Sequence, residues 1–319
     1  MNIKWKLKDK NYHLPVLKEE AVSFLINDPD GIYIDGTLGG GGHTSAILER
    51  IGNKGCVIAF DKDPDAIEHC RERFAKELSQ VPPRLQLYNE SYLEACSIAE
   101  RYGKIAGLLL DLGVSSKQID SELGGFSYRM SSELDMRFIP EGKTAKDLLN
   151  SATQEELERI LWQYGEEPFS RKIARRIVEV RRGKALSTTF DLREIVSQCV
   201  PHSLLTDTLS RVFQAIRIAI NNELQELENL LDCILPFIAK NGRIVVISYH
   251  SLEDRIVKNF FKEHSAPKAH VNKYKIEDNL ASNVPKLKII TKLPILPNNE
   301  EIHNNPRSRS AKMRVAEMI

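Results

Sequence analysis

Apolar positions along the first third of the chain fall into two alternating rhythms. Short unbroken runs, "IYID" (32–35), "CVIAFD" (56–61), "RLQLYN" (84–89) and "IAGLLLDLG" (105–113), have the length and character of buried strands. Between them, residues 16–27, 43–51, 64–78 and 92–101 carry apolar side chains at helical spacing. Strands separated by helices predict a doubly wound parallel sheet.

The rhythm breaks after residue 113. The next buried strand pattern is "RIVVISY" (243–249), and about 130 residues separate Asp111 from Arg243, where a parallel crossover needs only a dozen or more. Most of that gap is helical by period, at 144–150, 153–163, 168–183, 190–199 and 205–238. The pattern predicts a helical domain inserted between the fourth and fifth strands. The stretch "LLTDTLSRVFQAIRIAINNELQELENLLDCIL" (204–235), with Leu205, Leu209, Val212, Phe213, Ile216 and Ile220 in register, is assigned to the crossover helix. A helix near 252–261 and strands in "KLKIITKLP" and "KMRVAE" bring the sheet to seven strands. The expected division is 1–120 and 206–319 for the sheet domain and 121–205 for the insertion.

Composition adds exclusions. The chain of 319 residues is 42% hydrophobic and 28% charged, as soluble globular proteins are. No apolar run approaches the ~18 residues of a membrane helix, and "MNIKWKLKDKNYHLP" lacks the apolar core of a secretory signal. A cytoplasmic location without a membrane partner is expected. The five cysteines, Cys56, Cys70, Cys96, Cys199 and Cys233, are scattered and never spaced as CxxC. They read as reduced thiols rather than a disulfide framework or zinc ribbon. With a net charge of +1, any surface for nucleic acid must be local.

The first candidate for chemistry is "YIDGTLGGGGHTSAIL". No Lys-Ser or Lys-Thr follows the glycines, so it is not a phosphate-binding P-loop. GxGxxG also fails, because Thr44 or Ser45 stands at the third position. A strand, a glycine turn and a helix start remain, with Asp61 closing the second strand. Asp63 before Pro64 is the better helix cap, which leaves Asp61 to accept hydrogen bonds from ribose hydroxyls. A plain flexible turn would also explain the glycines. These features point to an adenosine-bearing cofactor, NAD or S-adenosylmethionine, and the missing third glycine leans away from NAD. At the end of strand four, Asp111 sits in "LLLDLGVSSKQID", either facing substrate or satisfied structurally.

These motifs carry a resemblance. "HLPVLKEEAV", "GIYIDGTLGGGGHTSAIL", "AFDKDPDAI", "LLLDLGVSSKQID", "GFSYR", "LDMRF", "YGEE", "SRVFQAIRIAINNEL", "ISYHSLEDRIVK" and "NPRSRSAKMRVAE" run in one order from residue 13 to 317. The chain resembles the bacterial small-subunit (16S) rRNA cytosine-N4-methyltransferases, the MraW family. The resemblance implies an α/β fold: a seven-stranded Rossmann-like S-adenosylmethionine-dependent methyltransferase sheet with an inserted all-helical domain. Carried over by motif, the cofactor site comprises Gly41, Gly42, His43, Asp61, Tyr92, Asp111 and Gln118. Tyr92 stands where the family usually has Phe and can still stack on adenine, and Lys117 stands where proline is common.

The implied reaction moves a methyl group to the N4 amine of a cytidine. That lone pair is delocalised into the ring, so the enzyme must accept hydrogen bonds from the amine and align it. DNA amino-methyltransferases use [Asp/Asn/Ser]-Pro-Pro-aromatic after strand four; this chain has Asp111-Leu112-Gly113-Val114. Asp111 is a catalytic candidate as well as a cofactor one, and Tyr249 and His250 after strand five are the others. Capping of the next helix by His250 and Ser251 is an equal alternative for that turn. The eight histidines show no metal-ligand spacing, and no catalytic metal is expected.

Small-subunit rRNA, in the assembled subunit, is the implied partner, and a homodimer is left open. Two basic stretches could meet phosphates: "SRKIARRIVEVRRGK" (170–184), with Arg171, Arg175 and Arg182 near one face, and "PRSRSAKMR" (306–314). A solvated helix face is the ordinary explanation of such a run. Two other functions compete: a non-catalytic RNA-binding assembly factor, against which Gly41, Gly42, Asp61 and Asp111 speak, and a nicotinamide-dependent oxidoreductase, against which the absent GxGxxG speaks.

Overall fold

The computed structural model describes residues 15–114, 124–265 and 285–319. The strands are β1 (Ile32–Asp35), β2 (Cys56–Phe60), β3 (Leu85–Tyr88), β4 (Ile105–Asp111), β5 (Ile238–Ser248), β6 (Leu287–Ile289) and β7 (Lys312–Met318). They form one sheet in the order β3-β2-β1-β4-β5-β7-β6. β1 to β5 run parallel, while β7 lies antiparallel to both β5 and β6. All seven expected strands are present; "KLKIITKLP" contributes only three residues.

Helices before β4 are α1 (Lys18–Leu25), α2 (Gly42–Arg50), α3 (Pro64–Arg73), α4 (Ala75–Leu78) and α5 (Ala95–Tyr102). After it come α6 (Ala145–Ser151), α7 (Gln154–Gly165), α8 (Ser170–Arg181), α9 (Thr189–Ser197), α10 (Leu205–Asn221), α11 (Glu223–Ile234), α12 (Ser251–Ser265) and α13 (Asn299–Asn304). The apolar strand runs make sense because the sheet is covered on both faces. Beyond a register shift between Ile105 and Gly107, alternate residues point to opposite cores: Leu109 packs with α1 and α2, while Leu108 and Leu110 pack with α5, α11 and α12.

The chain forms two compact units, residues 1–113 with 226–319 and residues 114–225. The assigned crossover stretch is two helices with different partners. Leu209, Val212, Phe213 and Ile216 of α10 belong to the core of the helical unit. Leu227, Leu230, Leu231 and Ile234 of α11 belong to the sheet core, so α11 alone covers the sheet. The break falls at Asn222, in the left-handed region at φ 52°, a conformation asparagine tolerates better than most residues. Both stripes have helical period, and periodicity does not say which core a stripe faces.

The cysteine reading needs correction. Cys96 on α5 and Cys233 on α11 form a disulfide across 137 residues of sequence. The pair is invisible in the spacing because the sheet, not a local motif, brings α5 and α11 side by side. Cys56, Cys70 and Cys199 are free, and burial pushes the Cys70 thiol up to about 12. Thiol titration of the unfolded, unreduced protein should find three groups, and five after reduction. Five without reductant would show that the pair does not form in solution.

Candidate active site

The candidate residues gather where the parallel strands end. Asp35 closes β1 and is fully buried. It accepts the Thr44 hydroxyl at 2.6 Å and the Thr37 amide at 3.1 Å, and burial raises its carboxyl above the usual range. The Thr37 hydroxyl in turn accepts the Asp111 amide at 2.7 Å. The "DGT" turn thus ties the tips of β1 and β4, for which an Asp and a Thr two residues apart are suited.

The glycine loop divides by role. Gly41 has φ +75°, and a Cβ there would stand 2.5 Å from the Phe74 ring. A Cβ on Gly42 would stand 2.8 Å from Pro15. These two glycines let α2 seat tightly. Gly39, at φ +50°, would meet nothing within 4 Å, so the loop is open there. α2 starts at Gly42, and first-turn amides such as those of Gly42 and His43 have no acceptor within the helix.

Asp61 follows β2 directly. Its Oδ2 accepts the Gly39 amide at 2.7 Å and its Oδ1 the Asp63 amide at 2.8 Å. Asp61 therefore holds the glycine loop as well as facing the strand ends, and each oxygen keeps a lone pair for a further donor. Burial pushes its carboxyl up to about 6. Asp63 caps α3 through the Asp65 amide at 2.9 Å, as the Asp-Pro pair predicts. Tyr92 opens a short 3-10 turn beside Gly36, where an added Cβ would come within 3.2 Å of the Tyr92 Cβ.

Asp111 is the most connected of the expected residues. Tyr249 donates its hydroxyl to Asp111 Oδ1 at 2.7 Å. His43 Nδ1 lies 3.7 Å from Asp111 Oδ2, while His43 Nε2 lies 3.0 Å from the Val16 carbonyl. The Asp111 side chain stays about one-fifth exposed, so a ligand can reach it. Desolvation by the surrounding protein pushes its carboxyl up to about 6, against the pull of His43 and Tyr249. The Tyr249 phenol is raised well above its ordinary value by burial and by Asp111.

The geometry brings Gly41, Gly42, His43, Asp61, Tyr92, Asp111 and Tyr249 to one edge of the sheet. Gln118 lies outside the described residues. His250 stands in the turn that opens α12. Its Nδ1 accepts the Glu253 amide at 3.4 Å, and Glu253 Oε2 accepts the Tyr249 amide at 2.8 Å and the His250 amide at 3.4 Å. This is a reciprocal cap at the start of α12. These contacts are the ones the capping alternative for this turn requires of His250. Sequence reading passed over Asp35, Thr37, Thr44 and Glu253. The signals existed: "DGT" after a strand, and a Glu three residues after His250.

The basic stretches are largely occupied. On and after α8, Lys172 donates to the Cys199 carbonyl, Arg176 to Gln198, Arg181 to the last carbonyls of α6 and Lys184 to Asp191. Arg171, Arg175 and Arg182 remain exposed. Arg314 is buried in a bidentate pair with Asp254 of α12, at 2.6 and 3.1 Å.

A Rossmann-like sheet with an antiparallel seventh strand inserted between β5 and β6, and with a glycine turn and acids at the tips of β1, β2 and β4, defines a methyltransferase of the S-adenosylmethionine-dependent class. The sequence profile of the MraW methylase family matches residues 10–319, and the chain belongs to that family. Among similar proteins, the ribosomal RNA small subunit methyltransferase H of Caldicellulosiruptor bescii is 46% identical, the alignment covering 96% of this chain and 99% of that one. Proteins of the same name from Caldicellulosiruptor saccharolyticus and Heliobacterium mobile are 44% and 43% identical, covering 96% and 97% of this chain and 99% of each relative. No described helix is long and apolar enough to cross a membrane.

Proposed function

We propose that the protein transfers a methyl group from S-adenosylmethionine to the N4 amine of a cytidine in small-subunit ribosomal RNA, in the cytoplasm and on the assembled subunit. The observation that carries this reading is Asp111: a carboxylate at the tip of β4, oriented by Tyr249, open by about one-fifth and beside the glycine loop. A carboxylate is acceptor-only, which suits it to an amine whose two N–H groups must be fixed. The full-length likeness to proteins named for ribosomal RNA supports the substrate class.

The residues present fit the methyl donor. The open face at Gly39 leaves room for a ligand beside the strand tips, and the amides of Gly42 and His43 suit its carboxylate. Asp61 would take ribose hydroxyls, Tyr92 would stack on adenine, and Gln118 joins them by motif alone. When bound, the donor supplies an electrophilic methyl carbon. Tyr249 and Asp111 orient the amine, with His250 behind them fixing the turn. Arg171, Arg175 and Arg182 would touch phosphates, the sequence-independent share of RNA binding. A target base in structured RNA must be exposed or flipped to reach this edge. The catalytic part is taken as residues 1–113 with 226–319 rather than the 1–120 and 206–319 expected from the sequence, because α10 packs in the helical unit, and that unit is read as an RNA-facing module; self-association is a question for sizing in solution.

Transfer of labelled methyl to small subunits lacking the modification, with naked rRNA and DNA in parallel and nucleoside analysis afterwards, tests the reading. Label is expected in N4-methylcytidine. Cofactor binding without transfer to any of these would favour the assembly-factor alternative.

Asp61 carries a separate prediction. Its carboxyl titrates at about 6, and the acid form offers ribose fewer acceptor sites. The sign is therefore that affinity is full above about pH 6 and falls as pH drops through it. Calorimetry should show donor affinity weakening between pH 7 and 5 in the wild type. Asp61→Asn should bind more weakly at pH 7 and show less of that slope. A pH-independent wild-type affinity would remove Asp61 from the ribose site.

A further inference from the structure

Helix α3 grips the glycine loop by its backbone. The Cys70 thiol donates to the Gly39 carbonyl at 3.5 Å, and Arg73 Nη1 donates to the Gly40 carbonyl at 2.5 Å. The Phe74 ring fills the space where a Gly41 side chain would stand, and the Arg73 guanidinium lies 5.1 Å from the centre of that ring. The last turn of α3 and its C-cap residue thus hold two successive carbonyls and seat the glycine that follows. The amides of the loop are shared out differently. Gly39 donates to Asp61 Oδ2 at 2.7 Å, and Gly41 donates to the Leu38 carbonyl at 2.8 Å. Among the described residues, the Gly40 amide finds no acceptor.

The direction of that amide follows from the peptide plane. The peptide bond between Gly39 and Gly40 is trans, so its N–H points opposite to its C=O. With the carbonyl turned to Cys70, the Gly40 N–H points away from α3, and the loop is open at Gly39. The next peptide plane is fixed in the same way, its carbonyl on Arg73 and its amide in the turn to Leu38. Directly after this loop, α2 begins without a capping side chain and without an acid in its first turn. Free N–H groups at a bare helix start attract an anion, and the anionic group of the methyl donor is its carboxylate.

We propose that the Gly40 amide donates to the carboxylate of the bound methyl donor, and that Arg73 is the positioning residue that keeps this amide turned outward. The inference rests on the donor site given under Proposed function, where Gly42 and His43 face the same carboxylate. Arg73 acts through the backbone and does not touch the donor. Its role follows from the residues it holds. Glycine rotates freely about both backbone bonds, so a run of glycines keeps one orientation only if something outside the run fixes it. Here Asp61 fixes the first amide, and Cys70 and Arg73 fix the two carbonyls. The thiol is a weak donor, which leaves the guanidinium as the stronger of the two holds from α3.

Two measurements on the full chain, both without RNA, test this. The first follows the amide proton resonance of Gly40 in nitrogen-15-labelled wild type. Saturating S-adenosylmethionine should move it downfield, as a new hydrogen bond to a carboxylate does. Decarboxylated S-adenosylmethionine should leave it near its donor-free position. A resonance that stays put with S-adenosylmethionine, or moves equally with both ligands, overturns the proposal even if every variant misfolds. The second is calorimetry on Arg73 variants. Arg73→Met, which keeps an unbranched stem without a donor, should weaken S-adenosylmethionine by about tenfold, the size of one charge-assisted hydrogen bond, and the decarboxylated form by less than about twofold. Arg73→Lys, which restores a donor, should recover most of that loss. Equal weakening of both ligands, with no recovery in Arg73→Lys, would mean general support of the loop and overturn the proposal. A failed N4-methylcytidine assay would overturn the substrate reading under Proposed function and not this one, because donor binding is read here on its own.

Discussion

Asp111→Ala should lower methyl transfer by about 10²–10⁴-fold, the range for removing a positioned group that handles a proton. Donor binding and fold should survive. The reason lies in how the side chain is held. Its carboxyl is raised from 3.8 to about 6, so at pH 7 the folded protein carries a charge it would rather not ionise. A shift of that size corresponds to roughly 2–3 kcal/mol at most. The sign follows: a folded-state value above the unfolded one means the ionised group costs stability above about pH 6, and that cost fades as pH falls toward 4. Removing the carboxyl should leave the melting temperature at pH 7 unchanged or higher, even after loss of the Tyr249 bond. Activity and stability should move in opposite directions, as they do where a site is held against its own preference. Wild-type rates in Asp111→Ala, measured on small subunits, would remove the residue from the chemistry; a lower melting temperature would make it structural.

Arg314→Ala should cost stability rather than RNA affinity. The guanidinium is 9% exposed and pairs through two nitrogens with both oxygens of Asp254. Taking one partner from a buried pair leaves the other charged and unsatisfied, a loss of about 3–5 kcal/mol. Because Asp254 keeps some exposure, the lower end is the better expectation. Urea unfolding should show the loss, and Asp254→Ala with Arg314→Ala should cost less than the two single losses added. Binding of the folded variant to small subunits should be unchanged within about twofold. Arg171→Ala and Arg182→Ala should do the reverse, leaving stability alone and flattening the salt dependence of binding. If Arg314→Ala binds RNA weakly while unfolding like the wild type, the basic stretch near the C-terminus faces RNA after all.

These contrasts mark where sequence reading stops. "PRSRSAKMR" and "SRKIARRIVEVRRGK" are alike as strings, two basic runs of ordinary look. The second leaves three arginines in solvent, and the first places its last arginine under α12. Charge is a property of a residue, but its availability is a property of what packs above it. The same holds for "SYHSLED". Both capping and catalysis were written in its residue types, and the capping contacts became visible only in the direction of the Glu253 side chain, back toward the amides of Tyr249 and His250.

What the sequence determined by itself is considerable. Seven strand patterns, the acids at two strand tips (Asp61 and Asp111), the broken nicotinamide fingerprint and the long helical interruption all follow from local chemistry. Strand and helix periods, glycine turns and Asp-Pro caps act over a few residues, so they can be read in order. The tertiary structure decided the rest because the rest joins distant residues. It split one apolar stretch into α10 and α11, each facing its own core. It joined Cys96 to Cys233 across the sheet face. It turned His43 from a loop residue into the neighbour of Asp111 and placed the Val16 carbonyl on its far side. Each of these depends on strand order and on which side of the sheet a helix lands, and neither is encoded in the spacing along the chain.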